Sequence, residues 1–399
     1  MTVLFNVTDA IGTAPNHGIT RTERRLATAL AGRTDVEFVL VRGHDLWQVD
    51  ATEILPLLDR PDVASTPHVE RFGVDDPPRA PSAVAAVVDR VRRRTPAAPS
   101  DPSFSARSYR SRADDVLVSV GLDWVHGTLD IAERHVFGAG GRFVGLSYDL
   151  IPIDHPEWLF PPDVDGFRAH LRRLLRVADS VMCISASTQS DLLRHFPDVD
   201  RTTTPVITLG ADAATHSGSE HRAFAASMFD GAPYVIYCAT VDRRKNHRVL
   251  YRAVRELVDR GIDGNVLFVG RVGSGVDDLI DSMRHDRSIA GRIALVTDCD
   301  DRHLAALYER SVGAVYPSLY EGWGLGVTEA LAHGRPCVVA TGSSLGEAGL
   351  GACREVHPLR TGAWADAMQQ MFAGQIPAPA VDLPTWESAA AQVLEVATR

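Results

Sequence analysis

Short runs of β-branched and other apolar residues alternate with longer helical patterns along most of the chain, and this alternation restricts the fold more than any other feature. A repeated strand and helix order requires crossover connections, so it predicts parallel sheets covered by helices. The predicted strands of the first half are residues 3–7, 36–41, 116–120, 143–147, 181–184 and 206–209. Those of the second half are residues 234–238, 266–269, 293–296, 314–316 and 336–340. The fold class is therefore α/β.

The two series of strands are separated by a stretch rich in Ala, Ser, Gly and His, which we interpret as a linker over residues 213–232. We accordingly predict one α/β domain over residues 1–212 and a second over residues 233–380. A chain of 399 residues is long enough for two such cores. Two open sheets joined in this way leave a cleft at the carboxyl ends of their strands, where ligands bind.

Charge and hydropathy exclude several function classes. The chain has 41 basic and 51 acidic residues, a net charge of 41 − 51 = −10, which argues against a nucleic-acid partner. No apolar run is long enough to span a bilayer, and the first residues do not resemble a secretion signal, so we expect a cytoplasmic protein. The five cysteines show no metal or redox spacing, and we interpret them as reduced, buried thiols.

An irregular region over residues 77–113 is rich in proline, and arginines are concentrated at residues 90–112. It has two interpretations. One is an arm that meets an acidic partner or gives peripheral contact with the inner membrane surface. The other, which we favour, is a solvated helix followed by a loop.

The most informative segment lies between the predicted strands 314–316 and 336–340. It opens with a Gly-rich turn after Glu321 and continues as a short helix that carries Glu329. The pattern predicts that the helix begins near Gly324 or Leu325, so that the amides of Gly324, Leu325 and Gly326 face the cleft. Such a helix terminus is an anion site, and a phosphate is its natural occupant. Glu329 can accept hydrogen bonds from two adjacent sugar hydroxyls.

A second chemical element is the basic turn that directly follows the predicted strand 234–238. Three consecutive cations, Arg243, Arg244 and Lys245, lie at the carboxyl end of this strand and point toward the same cleft. Lys245 with one of the arginines can neutralise the charge that a departing nucleoside diphosphate develops.

The run from Glu321 to Glu329, followed by Ala330, resembles the glutamate motif of family-four glycosyltransferases of the GT-B fold. Other segments similar to segments of that family are residues 16–21, 148–157, 178–185, 240–247, 343–347 and 385–387. The resemblance implies two Rossmann-like domains with parallel sheets that face each other across a cleft. It further implies that the first domain binds the acceptor, the second binds the nucleotide sugar, and a final helix over residues 381–399 packs back on the first.

The resemblance also implies roles for particular residues. Glu321 would face the donor sugar and Glu329 would hold the nucleoside ribose, while Gly18 belongs to a loop that closes over the sugar-phosphate end. The remaining positions implied to contact the donor, through its phosphates or its base, are Arg243, Arg244, Lys245, Val296, Thr297, Gly324, Leu325 and Gly326.

The chain departs from the family at Tyr148, where many members have a histidine before Asp-Leu-Ile-Pro. Tyr148 can donate a phenolic hydrogen bond to the sugar, and Asp149 can orient the sugar or the acceptor. The alternative is a core tyrosine and an aspartate that caps a turn, and both interpretations stay open.

The resemblance implies no metal and no cofactor, with a nucleoside-diphosphate sugar as co-substrate. The acidic cluster over residues 298–301 is the one stretch near a strand end that suggests a cation site, and we interpret it as a loop that caps the helix around residues 303–308.

The leading hypothesis is a retaining glycosyltransferase that moves a hexose-like sugar to an acceptor hydroxyl, with a lean toward mannose from the resemblance of residues 148–152. The acceptor stays open between a glycan, a lipid-linked saccharide and a small natural product. One alternative is a nucleotide-sugar epimerase on the same fold, which would consume donor without acceptor. Another is a pseudo-enzyme subunit that binds nucleotide sugar without turnover. The sequence does not indicate an oligomeric state.

Overall fold

A computed structural model describes residues 1–12, 18–58, 66–74, 105–158, 163–211 and 217–399 of the chain. Most of the arginine-rich region 90–112 and most of the loop before Gly18 lie outside these ranges. The predictions for that arm and for that loop therefore concern residues outside the described part.

The strands alternate with helices as the sequence predicts. The strands are β1 (Thr2–Asn6), β2 (Val36–Arg42), β3 (Asp45–Val49), β4 (His68–Arg71), β5 (Ala106–Ser108), β6 (Asp115–Val118), β7 (Arg142–Ser147), β8 (Ser180–Cys183), β9 (Tyr234–Cys238), β10 (Asn265–Val269), β11 (Ile293–Thr297), β12 (Gly313–Tyr316), β13 (Cys337–Ala340) and β14 (Arg354–Val356).

The helices follow the same order along the chain. They are α1 (Thr8–Gly12), α2 (Gly18–Leu30), α3 (Ala51–Leu58), α4 (Asp123–His126), α5 (Thr128–Ile131), α6 (Ile151–Asp154), α7 (Val164–Val177), α8 (Ala186–His195), α9 (Ser219–Ser227), α10 (His247–Asp259), α11 (Asp277–His285), α12 (Asp301–Arg310), α13 (Leu325–Ala332), α14 (Leu345–Ala348), α15 (Thr361–Phe372) and α16 (Trp386–Thr398).

Two seven-stranded sheets form the frame of the molecule. The first has the order β5-β3-β2-β1-β6-β7-β8, and the second has the order β14-β13-β12-β9-β10-β11-β4. The central strands pair in parallel, and β6 and β12 are buried at every residue. Burial on both faces explains why these strands read as continuous apolar runs in the sequence. The predicted α/β class with two sheets is confirmed.

One strand of the first half joins the second sheet. β4 pairs in an antiparallel direction with β11, so a segment within residues 1–212 completes the edge of the C-terminal sheet. Its residues are only half-buried or exposed, as suits a short edge strand. The division at residue 212 therefore does not assign every strand to one sheet.

One predicted strand is wrong. Residues 206–209 make an isolated bridge between Val206 and Cys183 rather than a strand. The predicted linker contains a helix, α9, which packs against α12 of the second domain. The final helix α16 packs against α2, and thereby returns the chain to the first domain. No helix within the described ranges is both long and apolar enough to cross a membrane.

Candidate functional site

The basic turn after β9 and the glycine turn after β12 lie side by side, because these strands are parallel neighbours in the second sheet. Asn246 joins the two turns. Its backbone is left-handed, with φ of 57°, and its side-chain amide donates to the carbonyls of Pro317 at 3.0 Å and Pro358 at 2.9 Å. Asparagine tolerates this conformation better than most residues. The structure thus brings together the two motifs that the sequence singles out.

Glu321 accepts charge-assisted hydrogen bonds from both predicted phosphate-binding cations. The Lys245 ammonium lies 2.5 Å from Oε1 of Glu321, and the Arg244 guanidinium lies 2.5 Å from Oε2. Arg244 also donates to the Tyr320 carbonyl at 2.8 Å. The three charged side chains keep only 14–20% of their surface exposed. Sequence reasoning predicts all three residues in the site, but not that the carboxylate is held by the cations.

The electrostatics of this ionic group favour a fixed negative charge at Glu321. Burial alone would raise the pKa of Glu321, but attraction by Arg244 and Lys245 outweighs it and lowers the pKa to about 2. The carboxylate is therefore ionised throughout the physiological range, and it holds both cations in position.

The backbone around Lys245 is held at three points. Its amide donates to Asp242 Oδ1 at 2.8 Å, and its carbonyl accepts from the Tyr237 hydroxyl at 2.7 Å. The carbonyl of Arg244 accepts from the Leu319 amide at 2.8 Å. Lys245 is also the only lysine in a chain that has 40 arginines.

Arg243 does not join this group. Its side chain is exposed, and its Nε donates to the Gly275 carbonyl at 3.1 Å, in the loop that follows β10. The structure therefore separates Arg243 from the two cations with which the sequence groups it.

Helix α13 begins at Leu325, as the sequence predicts. Gly324 precedes it with φ of 147°, a conformation that L side chains rarely adopt, and its carbonyl accepts from the Val327 amide at 2.9 Å. A Cβ added at Gly326 would lie only 2.7 Å from the ring of Tyr316, so glycine leaves room for this ring. The Ser344 hydroxyl contacts the carbonyls of Glu321 and Trp323 at 2.8 and 2.6 Å, and fixes the turn.

Glu329 is the fifth of the eight residues of α13 and is nearly buried, with 8% of its surface exposed. Its carboxylate forms an ion pair with Arg21 of α2, which belongs to the first domain. Sequence reasoning names Arg21 only as part of a glycine loop. Its position in the first turns of the helix after that loop is the one signal that could have assigned it to the site.

Tyr148 and Asp149 follow β7 and lie against the glycine turn. A Cβ added at Gly322 would meet the Tyr148 carbonyl at 2.1 Å, so only glycine allows this approach between the domains. The Tyr148 hydroxyl donates to the Val120 carbonyl at 2.5 Å, within its own domain. Asp149 accepts from the Ile151 amide at 3.1 Å, in the turn that leads into α6. The proposed contact of the Tyr148 hydroxyl with the sugar is thus replaced by an internal bond in this structure.

The remaining predicted site residues are Gly18, Val296 and Thr297. Gly18 begins α2, and a Cβ there would be 3.9 Å from the Leu325 side chain of the second domain. Val296 is fully buried in β11, and its carbonyl accepts from the Gly270 amide at 2.9 Å. Thr297 ends β11 and pairs with His68 of β4.

Further contacts hold the two domains together, and sequence reasoning did not predict them. The Glu347 carboxylate accepts from the amides of Ala186 at 2.7 Å and Ser187 at 2.9 Å, at the start of α8. The Tyr320 hydroxyl donates to the Asp191 carboxylate on the same helix. Each contact joins the second domain to α8 of the first.

Among the residues that the structure describes, His221, Asp300 and His303 form a group that could hold a metal ion. Asp300 accepts from the His303 amide at 2.8 Å and caps α12, as predicted for the acidic loop. It also contacts the His303 ring at 2.8 Å. All five cysteines are free thiols. Cys183 and Cys337 are buried as predicted, whereas Cys238, Cys299 and Cys353 are only half-buried.

The arrangement of two sheets is similar to the GT-B fold of solved glycosyltransferase structures. Residues 232–373 match the family model described as Glycosyl transferases group 1. The predicted resemblance to nucleotide-sugar glycosyltransferases is confirmed.

Relatives are similar over parts of their length. A serotype-specific mannosyltransferase, WbdA of Escherichia coli, is 30% identical over 57% of this chain and 29% of its own length. A D-inositol 3-phosphate glycosyltransferase of Corynebacterium glutamicum is 29% identical over 61% of this chain and 64% of its own. The chain therefore spans less than a third of the mannosyltransferase that it matches.

Solved structures share the fold over the whole chain. Anabaena HepE, in complex with UDP and glucose, has a TM-score of 0.61 with 14% identity and covers 99% of this chain and 98% of its own. Sucrose-phosphate synthase of Thermosynechococcus elongatus has a TM-score of 0.59 with 19% identity, over 99% and 94% of the two chains.

Proposed function

We propose that the protein is a retaining glycosyltransferase that moves a hexose-like sugar from a nucleoside-diphosphate sugar to an acceptor hydroxyl without a metal ion. The observation that carries the proposal is the group of Arg244, Lys245 and Glu321 beside the start of α13. Two cations and one carboxylate leave this group with a net charge of +1, in a position that is largely shielded from water. Such a group suits a diphosphate leaving group.

The remaining roles follow the geometry. Glu329 is nearly buried within α13 and is the carboxylate that suits the ribose hydroxyls, for which it would exchange its ion pair with Arg21. The free amides at the start of α13 add partial positive charge for the phosphates. Glu321 would face the donor sugar while it keeps Lys245 and Arg244 in position.

The chemical step would keep the anomeric configuration. The bond from the anomeric carbon to the diphosphate oxygen breaks, and the bond to the acceptor oxygen forms on the same face of the sugar. The acceptor proton passes to the departing phosphate, whose charge Lys245 and Arg244 stabilise. These two side chains supply the positive charge, so the step requires no metal ion.

The donor is proposed to carry mannose or a related sugar. The support is the resemblance of residues 148–152 and the name of the Escherichia coli relative, which is a mannosyltransferase. The solved HepE complex contains UDP. Sugars carried by GDP and by UDP are therefore both compared, to identify the base of the donor nucleotide. A ligand at about 100 times its dissociation constant adds roughly 2.7 kcal/mol of stability, which a thermal shift detects.

Release of nucleoside diphosphate tests the proposed roles. We expect Lys245→Ala and Glu329→Ala to lower kcat/KM for the donor by about 100-fold or more, as removal of one preorganised charge commonly does. Arg243→Ala, an exposed neighbour in the same turn, is the matched control and should stay within about threefold of wild type. Wild-type rates in both site variants would reject these roles. Donor consumption without acceptor and with an epimeric product would instead favour the epimerase.

A further inference from the structure

The carboxyl edge of the first sheet holds an Asp and His pair that the proposed transfer does not yet use. Asp9 lies in α1, directly after β1, and His126 ends α4, which follows β6. Oδ1 of Asp9 lies 2.8 Å from Nε2 of His126, and Oδ2 accepts from the Leu122 amide at 2.5 Å. The Asp9 side chain is 2% exposed and the His126 side chain 27%, so a buried carboxylate orients a ring that solvent and ligands can reach.

The surroundings of this pair are built around Gly121. A Cβ at that position would lie 2.3 Å from Asp9 Oδ2 and 3.0 Å from Glu23 Oε2, so only glycine lets the two carboxyl groups pack here. Glu23 and Asp123 are both buried beside Asp9. Burial and the nearby Asp9 raise the pKa of Glu23 well above its ordinary value. The pocket thus keeps carboxyl groups close together without a buried Lys or Arg among the contacts described.

An exposed aromatic ring lies on the same short helix. Trp124 keeps 43% of its surface exposed, which is unusual for a large apolar side chain. Its ring packs edge-to-face on Phe167, with centroids 5.6 Å apart, and lies 6.2 Å from the His170 ring, both on α7. The indole offers a flat apolar surface, and the imidazole two residues further along the same short helix offers a directional polar group.

The hydrogen-bond pattern indicates what the imidazole can do. The hydrogen bond with Asp9 raises the pKa of His126. Above that pKa the ring is neutral, and with Nε2–H donated to Asp9 its Nδ1 carries the lone pair and can accept a hydrogen bond from a hydroxyl group. The Tyr148 hydroxyl donates to the Val120 carbonyl in the same domain rather than to a substrate. His126 is therefore the oriented polar side chain at this edge that a sugar hydroxyl can reach.

We propose that Trp124 and His126 form the binding site for a saccharide acceptor, with Asp9 as the residue that positions His126. The sugar ring packs its C–H face on the indole, and an acceptor hydroxyl donates to Nδ1 of His126. The inference rests on the proposed transferase function, and it selects a saccharide from the acceptor classes that the sequence leaves open. His126 binds and orients the hydroxyl, whereas the proton leaves with the donor phosphate.

The test separates acceptor use from donor use. Full-length wild type, Trp124→Ala, His126→Ala and Asp9→Asn are compared in three assays with the donor that stabilises wild type. These are donor affinity by thermal shift, donor hydrolysis without acceptor, and transfer to a panel of methyl glycosides. His135→Ala is the matched control, because its side chain is 26% exposed and its ring contacts the His44 carbonyl at 2.7 Å.

We expect Trp124→Ala and His126→Ala to lower kcat/KM for the methyl glycoside at least 10-fold while donor affinity stays within twofold. Asp9→Asn should raise the acceptor KM with an unchanged donor KM, and Trp124→Phe should recover most of the transfer. Equal transfer by wild type and these variants would overturn the proposal, and so would loss of donor affinity together with transfer. A wild type that hydrolyses donor but glycosylates no methyl glycoside would overturn the saccharide assignment alone. A wild type that neither binds nor hydrolyses any nucleotide sugar would overturn the transferase function as well.

Discussion

The carboxyl edges of the two sheets carry charge in opposite ways. At the edge of the second sheet, the Glu321 carboxylate lies between Arg244 and Lys245, and each of its oxygens has its own cation. Attraction by the two cations overcomes the effect of burial, and the pKa of Glu321 falls to about 2. This edge holds separated charges in fixed positions before any ligand arrives, as suits an anionic leaving group.

At the edge of the first sheet, three carboxyl groups are buried near one another, and one of them contacts an imidazole. Asp9, Glu23 and Asp123 are buried together, and His126 contacts Asp9. Burial raises the pKa of Asp123 to about 6, although the Ser119 hydroxyl donates to it at 2.5 Å. The comparison teaches that the same position in two similar domains can serve different ligands. The second domain is suited to a diphosphate, and the first is suited to a neutral hydroxyl.

The largest expected effect comes from removing the carboxylate that the cations share. Glu321→Gln should lower kcat for transfer about 100-fold, because the donor sugar and both cations lose their fixed partner. The net charge of the group rises from +1 to +2, so the affinity for free nucleoside diphosphate should rise on the order of 10-fold. Steady-state kinetics and calorimetric titration measure the two effects. Weaker diphosphate binding by Glu321→Gln than by wild type would contradict a competition between carboxylate and phosphate for the cations. Glu220→Gln, at an 83% exposed side chain, is the control.

Asp123→Asn sharpens the contrast from the first domain. The pKa of Asp123 is raised from 3.8 to about 6, so its ionisation costs stability as the pH rises through that interval. The amide cannot ionise and keeps an acceptor for Ser119, so the variant should be about 2 to 3 kcal/mol more stable than wild type near pH 8. The difference should largely vanish near pH 4. Urea unfolding at both pH values measures it, and a difference independent of pH would show that Asp123 is not charged at the expense of folding.

Acidification should reduce the stability that Glu321 contributes, whereas it removes the cost of ionising Asp123. The pKa of Glu321 is lowered from 4.5 to about 2, so its contribution to stability is present above 4.5 and is lost as the pH falls toward 2. Between about pH 5 and pH 3, wild type should lose about 2 kcal/mol relative to Glu321→Gln. Unfolding of the two proteins across this range tests the sign. If the free energy of unfolding of wild type rose relative to that of Glu321→Gln on acidification, the cations would not hold the carboxylate.

A smaller effect is expected where the domains meet. Glu347 of the second domain caps α8 of the first through the amides of Ala186 and Ser187. Glu347→Gln should reduce stability by about 1 kcal/mol, as expected for a weakened helix cap, and lower the first thermal transition by a few degrees. Glu355→Gln, at an exposed side chain of β14, should leave the transition unchanged. Equal melting temperatures of Glu347→Gln and Glu355→Gln would show that this contact does not couple the domains.

Local sequence pattern determines much of what was predicted correctly. The strand 234–238 and the start of α13 at Leu325 follow from apolar runs, glycine and proline at fixed offsets. The motif residues Arg244, Lys245 and Glu321 could be predicted as neighbours because they end parallel strands of one sheet.

Long-range pairing explains what was missed. β4 and β14 are three to four residues long and partly polar, so their identity as strands depends on an edge that only the folded sheet provides. The Arg21 and Glu329 ion pair joins positions 308 residues apart. The direction of the Tyr148 hydroxyl, toward Val120 rather than the cleft, is a side-chain choice that no sequence pattern specifies.

The central claim is that Lys245 and its cluster receive the donor diphosphate, and the single lysine of the chain makes this directly measurable. Protein labelled biosynthetically with 13C-lysine gives one side-chain Cε–Hε resonance in an NMR spectrum, and nucleotide is then added. The account predicts a saturable shift of this resonance with GDP or UDP, whichever stabilises the protein, and little shift with the matching nucleoside. An unmoved resonance at a nucleotide concentration that raises the melting temperature would contradict it.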